Sequence, residues 1–386
     1  MPSRCSKMLT IGLDARAVHR LPRRGTGKNL VDLYTQVLAE RPDWRVIAYH
    51  RGDSASPVAS DRYIPRRIDM PGDRVDAWRR WRLPAAAWLD GVDLLHCPAN
   101  LAPNWRPCPM LVTIHDLLPL AGPARGAEQM RRSIRSCVSG GRTIITPSRY
   151  TADQLVRRFN ADPDRLVVNP WAADRAMRPV EDAAQRAATC ARYGVSEPFI
   201  LHLGAPDPRK NTAAAIEAYA RLPQPLRRRW PMLVVGLNCP DHRAAMAALC
   251  RERAVADAVH LHGFAAEADM PALFSAAALL FYPSRAEGFG LPILDAWATR
   301  TAVLCGNATS LPEVGHDAAA YVDPHDTAAM AEGLARLLED PTRCGDLCDR
   351  GERRLGQFTW PRTAERFIAA VEAALHSQGR AHRDAA

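Results

Sequence analysis

The sequence predicts an α/β protein of two domains, each a parallel sheet covered by helices on both faces. Three observations predict it. Short apolar runs of strand length alternate with segments whose apolar residues recur at helical spacing, the pattern of βαβ units. That alternation runs through the chain twice, with a proline-marked break between residues 170 and 182. Finally, 386 residues exceed what one hydrophobic core ordinarily holds, so two domains of roughly 150 to 200 residues are expected.

The first strand falls at residues 9–13, and residues 29–38 follow as a helix with Leu30, Leu33, Tyr34 and Val37 on one face. Strands at 46–49, 94–96, 111–114 and 143–146 continue the first sheet, separated by proline-rich stretches such as 97–109. A linker is expected at 177–182, which sets the first domain at 1–178 and the second at 179–360. The second domain repeats the logic, with strands at 199–203, 232–235, 256–261, 278–282 and 302–304 and helices between them. In sheets of this kind a ligand sits in the crevice at the carboxyl ends of the strands.

Composition narrows the class. A chain 47% hydrophobic and 24% charged is expected to be soluble and globular. No stretch approaches the roughly 18 apolar residues of a membrane span. Arg4 and Lys7 precede a short first strand, which is not the pattern of a signal peptide. The ten cysteines lack Cys-x-x-Cys spacing, so reduced thiols in the cytoplasm are expected. Cys344 and Cys348 are the one close pair, at a spacing that suits helix packing. Charge is uneven: residues 1–180 hold 29 Lys and Arg against 17 Asp and Glu, a net of +12, and the remainder carries −3. A basic half points to an anionic partner such as a nucleic acid, a membrane surface or a glycolipid. Only three cations are lysines, and two of them stand in Gly25-Thr-Gly-Lys28 and Arg209-Lys210, segments suited to a phosphate.

The most informative stretch is Glu287-Gly-Phe-Gly-Leu-Pro-Ile-Leu-Asp295. It follows a buried apolar run, and Gly288 and Gly290 then open a tight loop. Pro292 suits the first turn of a helix, where its missing N–H has no partner in any case. The amides of such a loop, with the helix N-terminus, attract phosphates. The flanking carboxylates accept hydrogen bonds from sugar hydroxyls. Phosphate donors beside hydroxyl acceptors describe a nucleotide-sugar site; the competing reading is an ordinary strand-to-helix turn.

This stretch resembles the Glu-x7-Glu signature of the retaining GT-B glycosyltransferases, the group 1 or family four enzymes, with Asp295 in place of the second glutamate. Ile11-Gly-Leu-Asp-Ala-Arg16, Gly25-Thr-Gly-Lys28, Thr113-Ile-His-Asp116, Ile145-Thr-Pro-Ser-Arg149 and Arg165-Leu-Val-Val-Asn-Pro170 resemble the amino-terminal domain of that family. Gly204 to Asn211 and Ser310-Leu-Pro-Glu-Val314 resemble the carboxy-terminal one. The resemblance runs from about residue 9 to 375, in the family's order. It implies a GT-B fold, two Rossmann-like domains facing across a cleft, with residues 361–386 a last helix that crosses back to the first domain.

The resemblance also implies roles. Asp295 would bind the ribose hydroxyls and Glu287 the donor hexose. The amides of Phe289, Gly290 and Leu291 would face the distal phosphate, and Arg209 and Lys210 would neutralise the diphosphate leaving group. His115 would lie near the transferred sugar, bonding a hydroxyl or stabilising oxocarbenium charge. Gly25 and Gly27 would let a loop approach the phosphates, and Glu313 would assist near the nucleotide or only cap a helix. Two departures are visible: Ala205 stands where some members carry arginine, and Arg300 where many carry glycine.

No metal or other cofactor is implied. Asp162-Pro-Asp164 has Asp-x-Asp spacing but reads as a turn, and His50, His96, His260 and His262 read as strand packing. Neither Gly-x-Gly-x-x-Gly nor a Walker loop is present, which disfavours dinucleotide and ATP chemistry. The partners implied are a nucleotide-sugar donor, with GDP-mannose the first expectation from the likeness to bacterial polysaccharide mannosyltransferases, and a saccharide or lipid-linked acceptor. A nucleotide-sugar epimerase and a non-enzymatic nucleic-acid-binding protein are the competing functions, the latter disfavoured by the carboxylates of the Glu-x7-Asp stretch. Trp78, Trp81 and Trp88, mixed with Arg79, Arg80 and Arg82 in a segment beginning at Asp73, suit either a solvated helix or peripheral contact with an anionic membrane.

Overall fold

The computed structural model describes residues 8–20, 25–52, 55–70, 76–117 and 127–383. Arg4, Lys7 and the Asp73-Arg-Val75 start of the tryptophan segment lie outside the described residues. The chain divides into two compact units, one of residues up to Ala172 together with those from Thr359, the other Ala173–Phe358.

The first unit is built on a seven-stranded, wholly parallel sheet. Its strands are β1 (Leu9–Asp14), β2 (Trp44–His50), β3 (Tyr63–Arg67), β4 (Leu94–Cys97), β5 (Met110–Thr113), β6 (Thr143–Thr146) and β7 (Leu166–Val168). They lie in the order β3-β2-β1-β4-β5-β6-β7, with Ile11 in register with Val46 on one side and Leu94 on the other. Central strands of such a sheet are covered on both faces, which is why they read as unbroken apolar runs and not as alternating ones. The helix Gly25–Glu40 lays Leu30, Leu33, Tyr34, Val37 and Leu38 into the core at helical spacing. It starts four residues earlier than the sequence suggests, so Gly25 and Gly27 occupy its first turn and are not a loop. First-turn amides need no partner within the helix, and two glycines there cost less than in its interior.

The second unit carries a six-stranded parallel sheet in the order β10-β9-β8-β11-β12-β13. These strands are β8 (Phe199–Leu203), β9 (Met232–Val235), β10 (Val259–Leu261), β11 (Ala277–Tyr282), β12 (Ala302–Gly306) and β13 (Ala320–Val322). β10 begins later than expected because residues 256–258 form a turn. Each sheet reverses its strand order once, between β1 and β4 and between β8 and β11. At such switch points neighbouring loops diverge and leave a crevice at the carboxyl edge.

The last helix, Trp360–Arg383, belongs to the first unit. Phe367 packs edge-on to Tyr34 with ring centroids 5.6 Å apart, and Thr363 Oγ1 donates to the Pro170 carbonyl at 2.8 Å. The Asp162-Pro-Asp164 segment is a turn: the Asp162 carboxylate accepts from the Asp164 amide at 3.0 Å ahead of β7. Cys344 and Cys348 each donate to a backbone carbonyl, of Leu337 and Arg300, both at 3.2 Å. Among the described residues no helix is long and apolar enough to cross a membrane.

Candidate functional site

The loops after β8 and β11 meet at the switch point of the second sheet. After β8 the chain runs through Gly204 and Asp207 into the short 3-10 turn Pro208–Lys210. Asp207 caps that turn, accepting from the Arg209 amide at 3.0 Å. The Arg209 guanidinium folds back on the same carboxylate, Nε to Oδ2 at 2.9 Å, and holds Asp207 below the usual carboxylate range against the cost of its burial. The Arg209 carbonyl accepts from the Arg285 amide at 2.8 Å, which joins this loop to the one after β11.

Lys210 spans the junction. Its Nζ donates to Glu287 Oε1 at 2.8 Å and to the Tyr282 hydroxyl at 2.9 Å. Burial works against the ammonium charge, but Tyr282 and Glu287 outweigh it and hold Lys210 well above the ordinary lysine range. Tyr282, at the end of β11, is fully buried; burial first, and Glu287 next, push its phenol up. An ammonium is thus fixed between a carboxylate and a hydroxyl at the edge of the sheet. It offers one positive charge to a phosphate and one carboxylate to a sugar.

The Glu287 loop is braced from the loop after β12. The Glu287 amide donates to Thr309 Oγ1 at 2.9 Å. Ser310 Oγ lies 2.9 Å from the carbonyls of both Glu287 and Phe289 and shares its one proton between them. Gly290 then caps the helix Leu291–Ala298 at φ +124°, where a Cβ would meet Leu311 Cδ2 at 3.0 Å. That backbone requires glycine. Pro292 stands in the first turn, as expected, and the amides of Phe289, Gly290 and Leu291 lie at the helix start. Asp295, one turn on, accepts from the Asp174 amide at 3.3 Å. Two residues past the helix stands Arg300, left-handed at φ 58°, which accounts for the glycine common there in the family it resembles. Glu313 lies in the helix Leu311–Gly315, whose Glu313 and Val314 carbonyls accept from Arg354.

Asn211 does more than its place in Pro208-Arg-Lys-Asn211 suggests. It sits at φ 61°, heads the helix Thr212–Ala220, and donates through Nδ2 to the carbonyls of Pro283 at 3.1 Å and Pro324 at 2.7 Å. One amide therefore ties the loops after β8, β11 and β13 together. Tyr282, Ser310 and Asn211 escaped functional notice in the sequence. Tyr282 was hidden in an apolar run; the other two lie inside recognised motifs without a chemistry of their own.

His115, Gly25 and Gly27 belong to the first unit. His115 follows β5, its amide donating to Asn100 Oδ1 at 2.6 Å and its Nε2 lying 2.6 Å from the Pro98 carbonyl. That carbonyl can only accept, so the proton is on Nε2 and Nδ1 keeps its lone pair. Burial lowers the His115 pKa, against the opposing pull of the Pro98 carbonyl and Asp116, so the ring is neutral near pH 7. A neutral ring with a lone pair on Nδ1 suits either expected role, accepting from a hydroxyl or facing positive charge. Trp171 stacks on it at 5.9 Å. His96 is packing, as expected: the hydroxyls of Tyr34 and Thr113 bracket it at 2.7 and 2.9 Å. At the β1 edge Arg16 grips Asp14, Nη2 to Oδ2 at 2.7 Å, which gives a structural reason for Asp-Ala-Arg16.

Comparison with known proteins adds an independent line. Residues 193–354 match the family model described as Glycosyl transferases group 1, and residues 25–176 match Glycosyltransferase Family 4. The chain is 28% identical over 306 residues to the O-antigen chain mannosyltransferase B of Escherichia coli, across 77% of this chain and 80% of that protein. It is 30% identical over 331 residues to the D-inositol 3-phosphate glycosyltransferase of Salinispora arenicola (strain CNS-205), across 78% of this chain and 68% of that protein. Among solved structures, Anabaena Alr3699/HepE in complex with UDP and glucose shares the fold, with a TM-score of 0.75 at 16% identity over 95% of this chain and 100% of that one. Both halves are matched in the order the fold requires, and the chain belongs to the group 1 glycosyltransferases, with their GT-B fold.

Proposed function

We propose that this glycosyltransferase moves a hexose, with mannose from GDP-mannose the first candidate, to a saccharide or lipid-linked saccharide in polysaccharide biosynthesis, with retention at the anomeric carbon. The observation that carries the reading is the Lys210 ammonium held between Glu287 and Tyr282 at the β8/β11 switch point. The likeness to an O-antigen mannosyltransferase supports mannose and a polysaccharide product. The UDP held by HepE leaves the base as the point to test.

In this reading the donor diphosphate lies against Lys210 and Arg209 and the amides of Phe289, Gly290 and Leu291. These groups supply the positive potential that the leaving group needs, which makes the reaction independent of a metal. Glu287 accepts from a hexose hydroxyl, Asp295 from the ribose hydroxyls, and Glu313 supports the nucleotide. Aspartate is one methylene shorter than glutamate, so either the ribose sits closer to its helix or this contact is weaker. His115 offers Nδ1 to a sugar hydroxyl. The bond from the anomeric carbon to the diphosphate oxygen breaks as the acceptor oxygen bonds on the same face, and the acceptor proton passes to a donor phosphate oxygen. Holding the partners in register contributes several kcal/mol to lowering the barrier. In this reading the reaction takes place in the cytoplasm, with peripheral contact at the inner face of a membrane.

The test is nucleotide release from GDP-mannose and UDP-glucose in the presence of EDTA, with and without a mannose-containing acceptor, and the anomeric configuration of the product by NMR. Acceptor-dependent release and a retained α-linkage are expected. Glu287→Gln should lower turnover about a hundredfold, the scale of losing one group aimed at the transition state. Near-normal turnover in that variant, or conversion of the donor without an acceptor, removes the proposal.

A further inference from the structure

The segment from Trp78 to Leu89 folds as a π-helical turn, Trp78–Arg82, running into the α-helix Leu83–Leu89. Its inner face holds Trp78, Leu83, Ala86 and Ala87 in the core of the first unit. Its outer face is unusual for a protein surface. Trp81 is 66% exposed, Trp88 62% and Leu89 72%, with Arg80 and Arg82 exposed beside them. Trp81 lies seven and eight residues before Trp88 and Leu89, close to two helical turns, so the three share a side. Edge strand β3 adjoins this face: Arg66 pairs with Asp90 at the helix end, and Ile64, two residues before it and so on the same side of the strand, is exposed.

Arg79, which the sequence groups with Arg80 and Arg82, does not belong to that surface. It is 5% exposed, ion-paired with Asp76, and donates to the Ala102 carbonyl at 2.8 Å. Arg16 bridges Asp14 and Asp76, and its guanidinium lies 4.3 Å from the Trp78 ring centroid. The inner face is thus braced by partly buried ion pairs, and the exposed indoles are carried on a fixed support.

Single exposed apolar residues are ordinary, but two indoles and a leucine together, rimmed by arginine, are not. Tryptophan has an apolar body and one N–H, which suits the headgroup layer of a bilayer. Arginines at that level meet lipid phosphates. The charge agrees, since residues 1–180 carry a net of +12. A second copy of the chain on this face would set arginine against arginine, and a nucleic acid has no use for Leu89.

We propose that this face docks the protein on an anionic lipid bilayer, with Trp81, Trp88 and Leu89 entering the headgroup region and Arg80 and Arg82 against lipid phosphates. This deepens the membrane contact of the proposed function; none of these five residues is assigned to sugar transfer, so binding and turnover can fail separately. The test uses the full chain with vesicles of phosphatidylcholine alone and of phosphatidylcholine with phosphatidylglycerol, read by sedimentation and by quenching of tryptophan fluorescence with brominated lipid. Salt-sensitive binding to the anionic vesicles and quenching are expected. Arg80→Gln with Arg82→Gln should weaken binding about fivefold per arginine. Trp81→Ser, Trp88→Ser and Leu89→Ser together should abolish quenching, with the melting temperature and transfer to a soluble acceptor unchanged. Wild-type protein that neither sediments nor is quenched overturns the proposal, as does a serine variant or an arginine variant that binds like wild type. A concentration-dependent dimer broken by the serine variant assigns the face to a second copy, and displacement of vesicles by an oligonucleotide assigns it to nucleic acid; either result overturns it too.

Discussion

Lys210 touches both Glu287 and the Tyr282 hydroxyl, so these three side chains respond to one another's removal. Replacing Tyr282 by Phe deletes one acceptor for the ammonium and leaves its aromatic packing in place. A hydrogen bond of this kind contributes about 1 to 2 kcal/mol, so Tyr282→Phe should lower kcat/KM about five- to thirtyfold and the melting temperature by roughly 2–8 °C. Equal kcat/KM would mean that Glu287 alone positions Lys210. The acidic and basic members of this group were legible in the sequence, because a carboxylate or a lysine in a glycine loop has few structural uses. Tyr282 was not, since a tyrosine ending an apolar strand looks the same whether its hydroxyl is engaged or idle. His115 was singled out by its motif, but its neutrality comes from burial, which outweighs the Pro98 carbonyl and arises only on folding.

At the scale of elements, the loops carry the site and Asn211 holds them. Asn211→Ala removes donors to the Pro283 and Pro324 carbonyls and leaves a non-glycine residue at φ 61°. The loss should be about 2 kcal/mol, roughly 4–8 °C in melting temperature, with weaker nucleotide binding besides. A variant that melts like wild type would show the three loops to be held by other bonds. The central strands were legible because burial on both faces gives continuous apolar runs. The strands missed were β3, β7 and β13, every one of them at a sheet edge. Tyr-Ile-Pro-Arg-Arg in β3 is mostly exposed, and β7 and β13 are three residues long, so none shows an apolar run of readable length. The helix start at Gly25 was missed for a related reason: glycine argues for a loop except where amides need no partner.

For the whole molecule, buried neutral histidines in both units make stability depend on pH. Burial, with His115 nearby, lowers His96 to about 3, and burial lowers His202 to about 4. An unfolded histidine titrates near 6.5, so both contributions are complete above that pH. They are lost as pH falls from about 6.5 toward 4 and 3, because only the unfolded chain takes up protons in that window. At pH 5 the loss should be roughly 2 kcal/mol for each histidine, and His96→Gln should flatten the slope. A melting temperature unchanged between pH 7 and 5 would contradict the buried, neutral assignment. A nucleotide-sugar site built around Lys210 is the central proposal. Its most direct test is a thermal-shift titration of wild type and Lys210→Ala with GDP, UDP and dTDP, without metal. A ligand that binds only the folded protein raises the melting temperature as its concentration exceeds its dissociation constant. The account predicts a rise with one nucleotide in the wild type, GDP first, and a dissociation constant at least tenfold weaker in the variant. No rise with any nucleotide, or an equal rise in both proteins, would contradict it.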